Sequence, residues 1–590
     1  MTTRPSTRRR AAPWPARDAD FSAWRPHVLR SLRRTFGLKS LRDGQEAVIA
    51  SVLAGRPTLA VMPTGAGKSL CYQLPATLLE GPTLVVSPLI ALMKDQCDKL
   101  SERGIAAVQL NSAVGADEIG AAEAAIAAGS ARIVFTTPER LAERAFLDLF
   151  AAVPPALLVI DEAHCISQWG HDFRPAFLEI GSAVPLLGRP PLLALTATAN
   201  DAVIEDIARQ LGESRFAVFN TGLYRPNLHY RVEQVTREDD KLARAVALVA
   251  ASAGPGLVYA ATVKAAEAVH AALLGAGVSA GLYHGRLGAT ERRAQQDAFM
   301  DGRVRVMVAT NAFGLGIDKP DTRFVVHYQI PSGLDAYYQE SGRAGRDGEV
   351  ADCSLLFLRS DRNVQQFFLA GKYPSQEDLA DLYGALRGAA AEAAPWTLET
   401  LQAALDLPAA KLQVALRLLR HQGVAAQDRA GRLTLKRGAL DADALARLLD
   451  AYRQKRESDR EMLERMVSYT QSGRCRWKAL LDNFGEGADF APCGSCDNCV
   501  RIAAASAAAE DGAGDAGTPP VGADRAATRT FRPGDAVVVA RYGSGVVETV
   551  DAEGVTIRFA AGSSRTFLAG YVRAAPRRRQ KLPQALPQTA

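Results

Sequence analysis

The chain of 590 residues is 48% apolar and 23% charged, a globular composition with room for several cores, and its formal net charge is +6. No apolar run is long enough to span a bilayer, which excludes a membrane-embedded reading. The basic arm with Arg4, Arg8, Arg9, Arg10 and Arg17 has no apolar run after it, so it is no secretory signal and a cytoplasmic protein is expected.

Residues 1–25 are expected to be a disordered basic arm. From about 57 onward, short apolar runs alternate with helical patterns: "TLAVM", "TLVVSP", "RIVFTTP", "ALLVID", "LLALTAT", then "GLVYAAT", "VRVMVAT" and "FVVHY". Continuous Val/Leu/Ile strands separated by helices imply parallel sheets covered on both faces. The span is too long for one unit, and "TGLYRPNLHYRV" has the Pro and Asn of a linker. The expected α/β lobes are therefore 26–222 and 223–372.

In the first lobe "MPTGAGKSL" follows a strand and precedes a helix. The backbone of Thr64, Gly65, Ala66 and Gly67 can curl around phosphates, Lys68 can reach the terminal ones, and Ser69 can hold Mg²⁺. The usual first glycine is Met62 here, and the competing reading is a structural glycine turn. "LLVIDEAH", about ninety residues on, ends a strand with Asp161 and Glu162. Asp161 can hold Mg²⁺ through water, and Glu162 can orient and deprotonate an attacking water. In the second lobe "YYQESGRAGRDG" places Arg343 and Arg346 three apart, on one face of an expected helix. They are either a solvated basic face or arginine fingers reaching across a cleft.

Past 373 the pattern changes. Leu398, Leu401 and Leu405 form one helical stripe, Leu412, Leu416 and Leu419 a second, and Gly423 stops it. "VAAQDRAGRLTLK" then reads as strand, turn, strand, so 373–450 is a winged-helix-like segment or a generic small packing unit. Next come four clustered cysteines, Cys475, Cys493, Cys496 and Cys499, spaced C-x17-C-x2-C-x2-C. Four thiolates suit a closed structural Zn²⁺ site, and an iron–sulfur cluster is the competitor. This helical module is assigned to 451–502. Residues 503–530 read as a flexible linker, 531–572 as a small β-barrel of about five short strands, and 573–590 as a basic tail.

The motifs together resemble the RecQ family of superfamily 2 DNA helicases. "FGLKSLRDGQ" is similar to motif 0, "VVSPLIALMKDQ" to motif Ia, and "DEAHCISQWGHDFRP" to motif II plus the family's aromatic-rich loop. "ALTATA" is similar to motif III, "VMVATNAFGLGIDKPDTRFVVHYQIP" to motif V and "QESGRAGRDG" to motif VI, while "LVYAATVKAAEAV" fits motif IV loosely. The resemblance covers roughly 30–372 and resumes at 451–502, where "CGSCDNC" is similar to the family's zinc module. It implies two RecA-like lobes, with ATP, Mg²⁺ and structural Zn²⁺ as cofactors. It places Arg42 and Gln45 at the adenine end of ATP, Gly316 and Asp318 beside the nucleotide, and His164 and Gln339 in coupling. Trp169, His171, Phe173 and Arg174 would contact single-stranded DNA. Sequence alone reads Trp169 and Phe173 as core aromatics.

The implied activity is ATP-dependent 3′→5′ DNA unwinding in repair or recombination. The alternatives are an RNA helicase and a DNA-binding ATPase scaffold. The family's usual order puts a winged helix after the zinc module, whereas here the candidate comes before it. "GDAVVVARYGSGVVETV" resembles the Tudor-like tail of UvrD/PcrA helicases and CarD-like modules, implying a protein-docking end with RNA polymerase as first candidate. The rival is a DNA-binding accessory using Arg573, Arg577, Arg578, Arg579 and Lys581.

Overall fold

The computed structural model describes residues 20–141, 143–167, 174–314, 319–388, 396–421, 423–428, 431–436, 442–511, 531–539, 543–550, 554–559, 564–567 and 572–575. The first lobe is a parallel sheet of seven strands: β1 (Thr58–Val61), β2 (Thr83–Val86), β3 (Ala107–Leu110), β4 (Ile133–Thr136), β5 (Leu157–Ile160), β6 (Leu192–Thr196) and β7 (Ala217–Asn220), in the order β3-β4-β2-β5-β6-β1-β7. The second is a parallel sheet of six: β8 (Leu228–Val235), β9 (Gly256–Tyr259), β10 (Ala280–Tyr283), β11 (Val306–Ala309), β12 (Phe324–His327) and β13 (Ala351–Leu358), in the order β10-β11-β9-β12-β13-β8. Every residue of β1, β2, β4, β5 and β6 is buried, as helices on both faces require of a parallel sheet. The chain passes between the two sheets from β7 to β8 through 221–227.

Beyond the second lobe, helices Gln376–Arg387, Leu398–Leu405 and Ala409–His421 pack with a hairpin of Ala425–Gln427 and Leu433–Leu435. Their shared core contains Leu382, Leu401, Leu412, Leu416, Leu419 and Leu433. One continuous helix, Ala442–Gln471, then runs through the boundary expected at 450/451. The zinc module is therefore entered along a helix that also packs on the second lobe and on Gln376–Arg387. Helix Asp497–Asp511 likewise continues past 502 into the expected linker, because its Ala-rich run is a good helix former.

Residues 531–575 form a five-stranded antiparallel sheet around Val537, Val539, Val547, Ile557, Phe559 and Phe567. Its two outer strands are Ser564–Phe567 and Val572–Ala574. Among the described residues no helix is long and apolar enough to cross a membrane.

Candidate active site and metal centre

Strands β1 and β5 carry their motifs to the same carboxyl edge of the first sheet, the edge at which parallel α/β folds place ligands. After β1 the chain turns through Met62–Ser69 into helix Leu70–Ala76. Gly65 (φ +88°) and Gly67 (φ +80°) take left-handed backbone, and a Cβ on Gly67 would lie 2.6 Å from Gln45 Nε2. Gln45 Nε2 donates to Ala66 O (3.0 Å) and Gly67 O (3.1 Å), and its Oε1 accepts from Arg42 N (2.8 Å). Arg42 Nη1 donates to Gly65 O. The phosphate loop is thus shaped from outside by two residues of motif 0.

Lys68 is half-buried in this loop, its ammonium donating to Met62 O at 3.2 Å. Burial lowers its pKa, opposed by the charges of Glu162 and Asp161. Asp161 follows β5 directly. Its Oδ2 accepts from Ser87 Oγ (3.4 Å) and its Oδ1 from Glu162 N (3.1 Å). Burial, reinforced by the neighbouring Glu162 carboxylate and opposed by Lys68, pushes Asp161 up to about 7. Two neighbouring acids on the wall of a cleft favour a divalent cation, and with Ser69 on the same wall the donor set fits Mg²⁺.

The sign of the pH effect follows. Below about 7 Asp161 holds a proton that a cation must displace, and above it the carboxylate is ready. Corrected for the nucleotide's own protonation, Mg²⁺ affinity should be about tenfold weaker at pH 6 than at pH 8. Calorimetric titration at the two pH values measures this, and a flat profile refutes Asp161 as the cation's acid.

A cleft of about 480 Å³ lies between the lobes. Arg42, Gln45, Thr64, Gly65, Gly67, Lys68, Ser69, Asp161 and Glu162 line one wall, and Gln339, Arg343 and Arg346 the other. Ala66 is present through its backbone. The two arginines are not on a helix as expected: Leu334–Ser341 ends before them, and Gly345 is left-handed (φ +57°). The glycines on either side of Arg343–Ala344 favour a turn over a further helical turn. Arg343 donates to Gly314 O.

His164 is buried beneath the cleft, its Nδ1 3.0 Å from Thr196 Oγ1 in "ALTATA" and 3.4 Å from Glu162 Oε2. Its other side meets a cavity of about 370 Å³ walled by Thr198, Asp335, Glu461 and Phe484. Arg174 is half-buried, with its backbone N–H on Cys165 O (2.9 Å). Trp169, His171, Phe173, Gly316 and Asp318 lie outside the described residues. Sequence reasoning missed Arg225 and Asn227, in a segment read only as linker. The available signal was an arginine and an amide flanking Pro226, where the chain must turn between lobes.

The four clustered cysteines converge, with all Sγ atoms within 4.8 Å of one another and Cys493 Sγ 3.9 Å from Cys499 Sγ. Tetrahedral Zn–S bonds of about 2.3 Å separate the sulfurs by roughly 3.8 Å, which this cluster matches. Backbone N–H groups point at the sulfurs: Arg476 N and Cys499 N at Cys496 Sγ (3.3 and 3.4 Å), and Cys493 N at Cys475 Sγ (3.3 Å). Such donors stabilise thiolates, so the site fits a closed structural zinc.

The family model of DEAD/DEAH box helicases matches residues 42–207, that of the helicase conserved C-terminal domain 240–348, and that of RecQ zinc-binding segments 439–500. The chain is 43% identical over 353 residues to an ATP-dependent DNA helicase RecQ of Bacillus subtilis, covering 60% of this chain and 59% of the relative. It is 41% identical over 334 residues to the RecQ of Pasteurella multocida, covering 57% and 52%. To the RecQ of a Synechocystis strain it is 35% identical over 496 residues, 81% of this chain and 98% of that protein. With two helicase lobes, a four-cysteine zinc module behind them and a relative matched over nearly its whole length, the chain belongs to the RecQ family of ATP-dependent DNA helicases.

Proposed function

We propose that this protein hydrolyses ATP with Mg²⁺ to move 3′→5′ along single-stranded DNA and unwind duplex ahead of it, in repair or recombination. The observation that carries the reading is the single cleft in which Lys68, Asp161 and Glu162 of one lobe face Arg343 and Arg346 of the other. Lys68 would neutralise the terminal phosphates, Glu162 would orient and deprotonate the attacking water, and the arginines would offset charge as the phosphoryl bond breaks. Ser69 and Asp161 would hold Mg²⁺, which would supply positive charge to offset that developing on the phosphates. Because the arginines come from the second lobe, turnover requires closure, and each cycle of closing and opening becomes a step.

The test is strand displacement on duplexes carrying a 3′ or a 5′ tail, with ATPase stimulation by DNA and by RNA compared. Unwinding of only the 3′-tailed duplex supports the reading. ATPase without displacement favours the scaffold alternative, and preferential stimulation by RNA favours the RNA helicase.

His164 supports a coupling path, since it touches both Glu162 and Thr196. We assign Trp169, His171, Phe173 and Arg174 to the DNA end of that path and Gln339 to its second-lobe end. Base–aromatic stacking contributes roughly 1–3 kcal/mol per base and tolerates any sequence. Trp169→Ala or Phe173→Ala should leave DNA binding nearly intact while DNA-stimulated ATPase and unwinding fall together. Full stimulation in either variant would make that residue core packing.

The 373–450 unit is assigned as a winged-helix DNA contact, its wing near Asp428–Arg432. The C-terminal sheet, whose two outer strands pair on one side only among the described residues, is assigned to protein docking by strand addition, with RNA polymerase as first candidate. Deleting 525–590 should remove a partner and spare unwinding. A salt-dependent loss of DNA affinity would make this end part of the DNA grip instead.

A further inference from the structure

The inter-lobe segment 220–230 does more than connect. Arg225 spreads its guanidinium over four backbone carbonyls: Nη1 donates to Gly342 O (2.8 Å) and Thr64 O (3.4 Å), Nη2 to Ala344 O (2.8 Å) and Gly345 O (2.6 Å). Two residues on, Asn227 Nδ2 donates to Gly345 O and Glu349 O, each at 2.8 Å. These carbonyls flank Arg343 and Arg346, in the turn that leaves helix Leu334–Ser341. A helix end leaves carbonyls without partners, and a planar guanidinium can satisfy several at once. Thr64 belongs to the phosphate loop of the other lobe, so Arg225 reaches both sides of the cleft.

The segment is itself held. Tyr338 Oη donates to Leu223 O (2.8 Å), and the Tyr224 ring packs edge-on against Trp477 (5.0 Å) and Phe490 (4.7 Å) of the zinc module. Glu486 accepts from Leu223 N (2.8 Å) and Asn220 Nδ2 (2.7 Å). Arg225 therefore acts from a fixed base.

We propose that Arg225 and Asn227 are positioning residues for ATP turnover: by gripping the turn at 342–349 and tying it to Thr64, they set where Arg343 and Arg346 stand relative to the phosphates. This rests on the arginine-finger reading above. The predicted signature is a loss in turnover without a loss in nucleotide affinity. Misplacement of a catalytic group by about 1 Å can cost on the order of a hundredfold. Arg225→Ala, Arg225→Lys and Asn227→Ala should accordingly lower DNA-stimulated kcat by about ten- to a hundredfold, while KM for ATP and the affinity for a fluorescent nucleotide change less than about threefold. Lysine should not rescue, because one ammonium cannot reproduce the fork.

Single-turnover phosphate release from Arg343→Ala and from the double variant Arg225→Ala/Arg343→Ala completes the test. If Arg225 acts through Arg343, the double variant is no slower than Arg343→Ala alone. Wild-type kcat in Arg225→Ala, additive losses when Arg225→Ala is combined with Arg343→Ala and likewise with Arg346→Ala, or nucleotide binding lost even in Arg225→Lys each overturns the proposal. Wild-type turnover in both Arg343→Ala and Arg346→Ala would instead sink the finger reading. Impaired arginine variants beside an unimpaired Arg225→Ala would sink only the positioning role.

Discussion

Replacing Lys68 with alanine should lower DNA-stimulated ATPase by about a hundred- to a thousandfold, and unwinding with it, while single-stranded DNA still binds. Removing one preorganised donor from a site of developing charge costs roughly that factor. Lys68 is no exposed cation: it is half-buried beside Asp161 and Glu162, and its charge opposes the rise in the Asp161 pKa. Its loss should therefore act twice, withdrawing the phosphate contact and pushing Asp161 further up, so that at neutral pH the carboxyl keeps a proton and Mg²⁺ binds less well. A Lys68→Ala protein whose residual ATPase rises from pH 7 to 8.5 more steeply than wild type would show the second effect. Wild-type turnover would remove the phosphate-loop assignment. The fold should survive, since glycine backbone and Gln45 hold the turn and the lysine side chain adds only one bond, to Met62 O at 3.2 Å.

What was legible in the sequence follows burial. The strands read as apolar runs lie mostly inside the two sheets, where both faces are covered, and β1, β2, β4, β5 and β6 are buried at every residue. Those not singled out are largely sheet edges: β3 and β7 at the two sides of the first lobe, β10 and β8 at the two sides of the second. β7 alternates half-buried and exposed residues, and no continuous apolar run can report such a strand. β13 is the exception, since it is inside the sheet and buried at seven of its eight positions, but Asp352 and Ser354 interrupt its apolar pattern.

The site behaves in the same way. Lys68, Asp161 and the four cysteines were readable because their chemistry demands particular side chains at particular spacings. Arg225 and Asn227 escaped because their partners are backbone carbonyls, which leave no residue-type signature across more than a hundred positions of chain. The helix expected under Arg343 and Arg346 failed because a three-residue spacing says nothing about the glycines that turn the chain there.

Cys496→Ser should have its effect far from any catalytic group. The metal-bearing end of the module is pinned to strand β8, which follows the inter-lobe segment: Trp477 Nε1 donates to Leu228 O (3.0 Å), Asp497 Oδ2 accepts from Val232 N (3.0 Å), and the buried Arg476 pairs with Asp497 while donating to Tyr469 O (2.5 Å). Cys496 is fully buried at the centre of this arrangement, and its sulfur accepts two of the backbone donors that shape the site. Zinc contributes on the order of 10 kcal/mol to folding such sites, so losing one thiolate of four should cost several kcal/mol, a drop of roughly 20 °C in the transition of this module. Soluble yield should fall. Nucleotide should still bind, because the phosphate loop folds on the first sheet, but turnover should drop as Tyr224 and Leu223 lose their supports and Arg225 its base. Wild-type protein should carry one zinc per chain and no iron by elemental analysis; iron with a visible absorbance band would refute the zinc assignment. The informative comparison is with Arg225→Ala. If the hinge is the route by which the module supports hydrolysis, a Cys496→Ser/Arg225→Ala double variant, assayed at low temperature where both fold, should turn over no more slowly than the slower single variant. Independent, multiplying losses would mean that zinc serves the module's own fold and the motor does not read it.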